Sequence, residues 1–193
     1  MKRLSGWLLL GSLAVAGCGG LQETWSGPGA ESFRPKSIAI LPPIVGAYEG
    51  AREPAFEVMA KALKESGRFE RVVGPEQVNS IVQSSKEVND AVAGFLSKLE
   101  TVGLSDQAAA VKLGQALQAD ALLVVNVNSW EYTRSEGDKL AKVALGLRLI
   151  DAGKGAIVWK GRHEKAESYW MFKPSLKDQA ADLAEYMTKY MPR

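Results

Sequence analysis

Few residues in this chain carry reactive side chains. There is one histidine, His163, and one cysteine, Cys18, among 193 residues. Zinc-type sites gather several His or Cys ligands, and a Cys–His nucleophile needs both residues in one site. With Cys18 in the extreme amino-terminal segment, neither arrangement is open to the body of the chain. A Ser-His-Asp triad would have to use His163, and no G-x-S-x-G elbow is present. His163 falls in an alternating stretch, on the same face as Ile157, Trp159 and Gly161, the setting of a half-buried strand residue. Asp120, Glu131, Asp138 and Asp151 fall at predicted strand ends and turns, where turn chemistry accounts for them. The loop IVGAYEGAR at 44–52 follows a predicted strand, the place where open α/β sheets bind ligands. It lacks the spacing and the Lys-Ser/Thr of a phosphate loop. These residues define no cofactor site, no metal site and no catalytic set, so the chain is read as a non-enzyme.

A second group points to binding rather than reaction. Tyr169, Trp170, Met171 and Phe172 form an aromatic run between the last predicted strand and the last predicted helix. A turn there needs no large apolar side chains, and such residues are enriched in protein-contact hot spots. Tyr169, Trp170 and Phe172 are therefore candidate partner contacts. Trp130 and Tyr132 precede the next strand connection, and Trp159 is expected in the core.

The elements that position these residues follow from periodicity. KSIAILP at 36–42 is a short apolar run stopped by Pro42-Pro43, the pattern of a buried strand. Glu53-Pro54 opens a helix with Phe56, Met59, Ala60 and Leu63 on one face, closed by Gly67. FERVV at 69–73 is a second strand, completing a strand–helix–strand opening. Three predicted helices follow between Pro75 and Gln118, the last with Ser105 as its expected N-cap. ADALLVVNV at 119–127 is a buried strand that alternates from Val125 onward. KVALGLRLID at 142–151 alternates, with Val143, Leu145, Leu147 and Leu149 on one face. Gly153-Lys154-Gly155 is a turn and 156–167 a return strand. Ser175 and Asp178 predict a capping-box start to a final helix carrying Leu176, Ala180, Leu183, Ala184 and Met187 inward. The fold class is α/β or α+β: a mixed sheet of about five strands with helices packed on it.

The amino terminus sets location. Lys2 and Arg3 form a positive n-region, and Trp7 to Val15 an apolar run well short of the ~20 residues of a spanning helix. Val15-Ala16-Gly17-Cys18 places small residues before the cysteine. This resembles the lipobox of bacterial lipoproteins, which implies a signal peptide at 1–17 and lipid on the thiol of Cys18. Gly19 stands where an inner-membrane retention signal resembles an aspartate rule, so the outer membrane, periplasmic face, is expected. Residues 18–34, rich in Gly, Ser and Pro, read as a lipidated cysteine and flexible tether, and 35–193 as one globular domain. Of 24 basic and 22 acidic residues, Lys2 and Arg3 supply the whole excess. A balanced mature chain has no electrostatic reason to bind nucleic acid.

RPKSIAILPP, ADALLVVNVNSW and LGLRLIDAGKGAIVWKG together resemble a family of small outer-membrane lipoproteins. That family is similar in fold to the amino-terminal domain of the translocation protein TolB. It is related to the curli secretion lipoprotein CsgG and the peptidoglycan-synthase activator LpoB. The resemblance spans about 34–193. Ile44-Val45-Gly46 replaces the polar Asn-x-Ser-type turn of those families. It implies a TolB-like domain, held to the membrane through Cys18, that binds other envelope proteins in assembly, transport or peptidoglycan-synthase regulation. The alternative implication is a subunit of an oligomeric CsgG-like secretion apparatus. No spare pair of outward-apolar strands is present to build a pore.

Overall fold

The computed structural model describes residues 20–192. Cys18 and the signal peptide expected at 1–17 lie outside the described residues. Among those described, no helix is long and apolar enough to cross a membrane.

Six strands form one sheet: β1 (Glu23–Ser26), β2 (Ser37–Ile40), β3 (Arg71–Val73), β4 (Ala121–Ser135), β5 (Asp138–Asp151) and β6 (Ala156–Tyr169). Their order is β1-β6-β5-β4-β2-β3. Strand β2 pairs in parallel with β3 and β4, and the other pairings are antiparallel. The helices are α1 (Arg52–Glu65), α2 (Pro75–Ser84), α3 (Lys86–Thr101), α4 (Gln107–Leu117) and α5 (Leu176–Thr188). The strand–helix–strand opening and the long meander expected from the sequence are both present.

Alternation along β4 and β5 places Val125, Leu145, Leu147 and Leu149 on one face, with Trp159 of β6 opposite Leu149. Helix α5 covers that face with Leu183, Ala184 and Met187 and packs along α1. Leu122, Val124 and Ile150 project to the other face and are also fully buried, under the α2–α4 group. Each such aliphatic side chain removed from water contributes about 1.5–3 kcal/mol. Strand β4 is buried on both faces only along its first half, and the antiparallel β5 only toward its end.

Helix ends follow local chemistry. Ser85, Asp106 and Ser175 accept the N–H of Val88, Ala109 and Asp178. The last agrees with the expected Ser175 cap. Ser105, expected as the α4 cap, is not the cap; Asp106 is, one residue on. Its carboxylate accepts the bond with full charge and also pairs with Lys98 at 2.9 Å, so it outcompetes a hydroxyl.

The expected tether at 18–34 differs from the structure in its described part. Glu23–Ser26 forms edge strand β1, antiparallel to β6, and supplies the sixth strand. Gly27 N–H continues the ladder to Val158 C=O at 2.8 Å. Leu21 packs over Gly161, where a Cβ would stand 2.7 Å from the Leu21 Cδ1. Every β1 residue is exposed. The strand therefore rests on backbone pairing to an open edge, a driving force that leaves no apolar period in its sequence.

Candidate functional site

The second half of the α2–α4 face has no helix over it. Strand register builds a groove there. Asn126, Gly146, Arg162 and Glu23 lie side by side across β4, β5, β6 and β1. One step along, Arg148 is opposite Lys160, and Lys160 is opposite Trp25. Gly146 contributes no side chain at the centre, so the floor is backbone. A bulge between Val127 and Ser129 turns Asn128 toward that floor: a Cβ on Gly146 would meet Asn128 Oδ1 at 3.0 Å. Bulges re-aim side chains beside functional sites in this way. The open volume is about 290 Å³.

The groove is cationic. Arg148 is half-buried, and its Nη1 donates to Asn126 Oδ1 at 2.8 Å. Burial depresses the Arg148 pKa, and no carboxylate among the described residues offsets that desolvation. Arg162 pairs with Glu23 at 2.7 Å. Lys160 Nζ lies 5.2 Å from the Trp25 ring centre. Three cations thus face one carboxylate, flanked by two amides and one aromatic ring, 45% exposed. Such a surface can hold an acidic or hydrogen-bonding partner; it contains no nucleophile–base pair.

The residues first singled out for chemistry have other duties. His163 Nδ1 accepts from Gln22 N–H at 3.3 Å, and its ring stacks on Tyr186 at 4.9 Å. It anchors the run into β1, on the helix-covered face. Asp120 Oδ2 accepts from the N–H groups of Lys36 and Ser37 and from the Ser37 hydroxyl. Burial pushes its carboxyl up, but the Ser37 and Lys36 donors and the Arg71 charge outweigh this and hold it below the ordinary range. Asp151 closes the β5–β6 turn through the N–H groups of Gly153 and Lys154. Glu131 accepts from Ser129. Asp138 opens β5 opposite Ser135. The 44–52 loop is spent on structure: Ile44 bonds to Val125 and Val127, and Arg52 to Glu49 and the Pro43 carbonyl. Among the described residues no three His, Cys, Asp or Glu are grouped to hold a metal ion.

The aromatic run lies at the far end of the sheet. Tyr169, half-buried, meets Tyr132 edge-on at 5.9 Å. The Tyr132 hydroxyl donates to Pro174 C=O at 2.8 Å, and Lys173 Nζ stands 4.7 Å from the Tyr132 ring centre. These contacts hold up a tip on which Trp170 is 84%, Met171 67% and Phe172 83% exposed.

Asn126, Gly146, Arg148 and Arg162 escaped the reading of the sequence. Their signal was present as polar residues, or glycine at 146, at every second position of three predicted strands: 126 and 128, 146 and 148, 160 and 162. Each run alone reads as a solvated face; only the register makes one surface of them.

A family model for the peptidoglycan-synthase activator LpoB matches residues 52–164, more than half the chain. The chain belongs to this family. The matched span runs from the start of α1 to β6 and includes the groove residues of β4, β5 and β6. No curated protein matches the chain in sequence. Among solved structures, the PelC dodecamer from Paraburkholderia phytofirmans is similar at a TM-score of 0.54 and 18% identity, covering 89% of this chain and 96% of that one. Lipoprotein GNA1162 from Neisseria meningitidis is similar at 0.52 and 19%, covering 80% and 99%. At these identities the likeness is one of fold, and it confirms the mixed α/β architecture for this LpoB-family chain.

Proposed function

We propose that this LpoB-family protein is an outer-membrane lipoprotein, anchored through Cys18. Its domain binds another envelope protein in the groove and regulates a peptidoglycan synthase. The observation that carries the reading is Arg148: a half-buried guanidinium with no carboxylate partner among the described residues, on a floor opened by Gly146. A buried guanidinium is stabilised by a planar anion that accepts its donors in parallel, and an Asp or Glu side chain of a partner supplies one. Family membership supports the synthase as the system served.

Geometry narrows the mode of contact. With β1 on the sheet, only Gly19 separates Gly20 from Cys18, a reach of about 7 Å over two Cα–Cα steps even when extended. The domain therefore stays beside its membrane, and the partner crosses to it. Capture from crosslinked membranes tests this. Wild-type protein is expected to retain an envelope partner that Arg148→Ala loses. Equal recovery by both, or no reproducible partner, refutes the groove as the contact.

A second reading is an oligomeric apparatus. Its support is the fold shared over most of the chain with PelC, which is a dodecamer. Mass measurement of the detergent-extracted protein separates the two: a strict monomer ends the second reading.

A further inference from the structure

We infer that the Trp170-Met171-Phe172 tip is a second membrane contact, inserted into the same bilayer leaflet that would hold the lipid on Cys18. The inference rests on the Cys18 anchor for its orientation. Three large apolar side chains stand in water at the end of a domain whose other large apolar side chains mostly lie in the core. Tyr132 and Tyr169 pack on each other beside the tip and are not part of the core cluster.

The course of the chain toward its amino terminus identifies the occupant. Strand β1 runs antiparallel to β6, with Glu23 opposite Arg162 and Ser26 opposite Trp159. Followed backward from Glu23, the chain therefore heads toward the Tyr169 end of β6. Gln22 lies at His163, and Gly20 C=O accepts from the Tyr186 hydroxyl at 3.3 Å. Tyr186 is ten residues into a helix that starts just past the tip, about 15 Å along its axis. Cys18 lies within about 7 Å of Gly20 whatever the path between them. An acyl chain leaving Cys18 thus starts from the side of β6 that leads to the aromatic tip, Gly20 standing about 15 Å short of that tip. A lipid surface reached by the acyl chain lies within reach of the tip. Tryptophan and its neighbours on the tip are the residue types that settle at the membrane–water interface.

Charge decides the kind of membrane contact. Arg134, Lys139 and Lys173 surround the tip together with Glu136, Asp138 and Glu167. Three cations balance three carboxylates, so the tip has no preference for anionic headgroups and its attachment is apolar. Held at two points, the domain is fixed in orientation, with the groove kept on the flank of the sheet, in water.

The test uses the acylated mature protein reconstituted on phosphatidylethanolamine vesicles, with plain or brominated acyl chains. The emission difference between wild type and Trp170→Phe is the Trp170 signal. It is expected to fall at least twofold on brominated vesicles and to stay so in 0.5 M salt, a level chosen at roughly twice-plus the screening of physiological buffer. An unchanged Trp170 signal on protein that floats with the vesicles overturns the proposal. A photoreactive phenylalanine at position 172 in cells is expected to yield lipid adducts; a reproducible protein adduct also overturns it. The mass of the amino-terminal peptide reports acylation of Cys18 separately, so failure of the anchor and failure of the tip are told apart. Because Trp170 and Phe172 are 84% and 83% exposed, neither substitution disturbs the fold.

Discussion

Replacing Asp120 by asparagine should weaken the junction between β2 and β4 in a pH-dependent way. One carboxylate oxygen of Asp120 accepts from Lys36 N–H at 3.0 Å, Ser37 N–H at 2.9 Å and Ser37 Oγ at 2.9 Å. The Ser37 hydroxyl accepts in return from Asp120 N–H at 3.0 Å. The clamp sets where β2 begins against β4, and so the register of the parallel half of the sheet. Hydrogen bonds to a charged group contribute about 1.5–3 kcal/mol and neutral ones about 0.5–1.5. Asp120 is solvent-exposed, so the low ends apply, a difference of about 1 kcal/mol for each of three bonds, which solvent screening roughly halves to about 0.5 kcal/mol lost per bond when the charge is removed. The sum, about 1.5 kcal/mol, corresponds to a melting temperature lower by roughly 3–6 °C for a domain of this size. The sign with pH follows from the lowered Asp120 pKa. A depressed carboxylate stabilises the fold above its unfolded pKa of about 3.9, and the contribution is lost as pH falls through the folded value. Thermal unfolding of the detergent-solubilised protein, followed by circular dichroism, should show a constant gap between wild type and Asp120→Asn from pH 7 to about 5. Below about pH 4 the gap should close as wild type descends to the variant. A gap that is absent at pH 7, or that persists unchanged at pH 3, would refute the clamp.

Other outcomes follow from single contacts. Gly155 has φ +68° and a Cβ there would stand 2.4 Å from the Gln107 backbone, so Gly155→Ala should cost about 3 kcal/mol in denaturant unfolding. Gly67 has φ +61° with nothing nearby, and Gly67→Ala should cost only about 1 kcal/mol; equal costs would show that the Gln107 contact is unimportant. Arg148→Ala should weaken partner binding by about 2 kcal/mol, near 30-fold, with Arg148→Lys intermediate because it keeps charge but not the planar fork. Indistinguishable titrations for the three proteins would exclude Arg148 from the contact. Cys18→Ala should move the protein out of the membrane fraction, and tight retention after that change would show that lipid on Cys18 is not the main anchor.

Much of this fold was legible in the sequence because its core follows simple periods. The apolar run of β2, the alternation of Val143 to Leu149 and the one-sided helices each state their own element, since burial on one face leaves a repeat in the chain. The Ser175 cap was legible for the same local reason, and so was the expectation that Trp159 is core, now 2% exposed. Strand β1 was not legible. Its residues bury nothing, and it forms because β6 offers an unpaired edge and Gly161 leaves room for Leu21. Asp106 displaced Ser105 as a cap through its pairing with Lys98, a residue eight positions away that local pattern does not weigh.

The same division holds for the candidate site. By itself the sequence determined that reactive side chains are few, that the chain carries an amino-terminal pattern with one cysteine, and that an aromatic run breaks the last connection. Those are properties of residue type and local order. The groove was decided only when β1, β6, β5 and β4 came into register, because Asn126, Gly146, Arg162 and Glu23 are distant in the chain and adjacent across the sheet. The end of the molecule toward which the amino terminus leads was likewise decided by the antiparallel pairing of β1 with β6. A period in sequence encodes which side of an element is buried; which elements lie side by side is chosen by hydrogen-bonding edges and packing space, and these exist only in the folded chain.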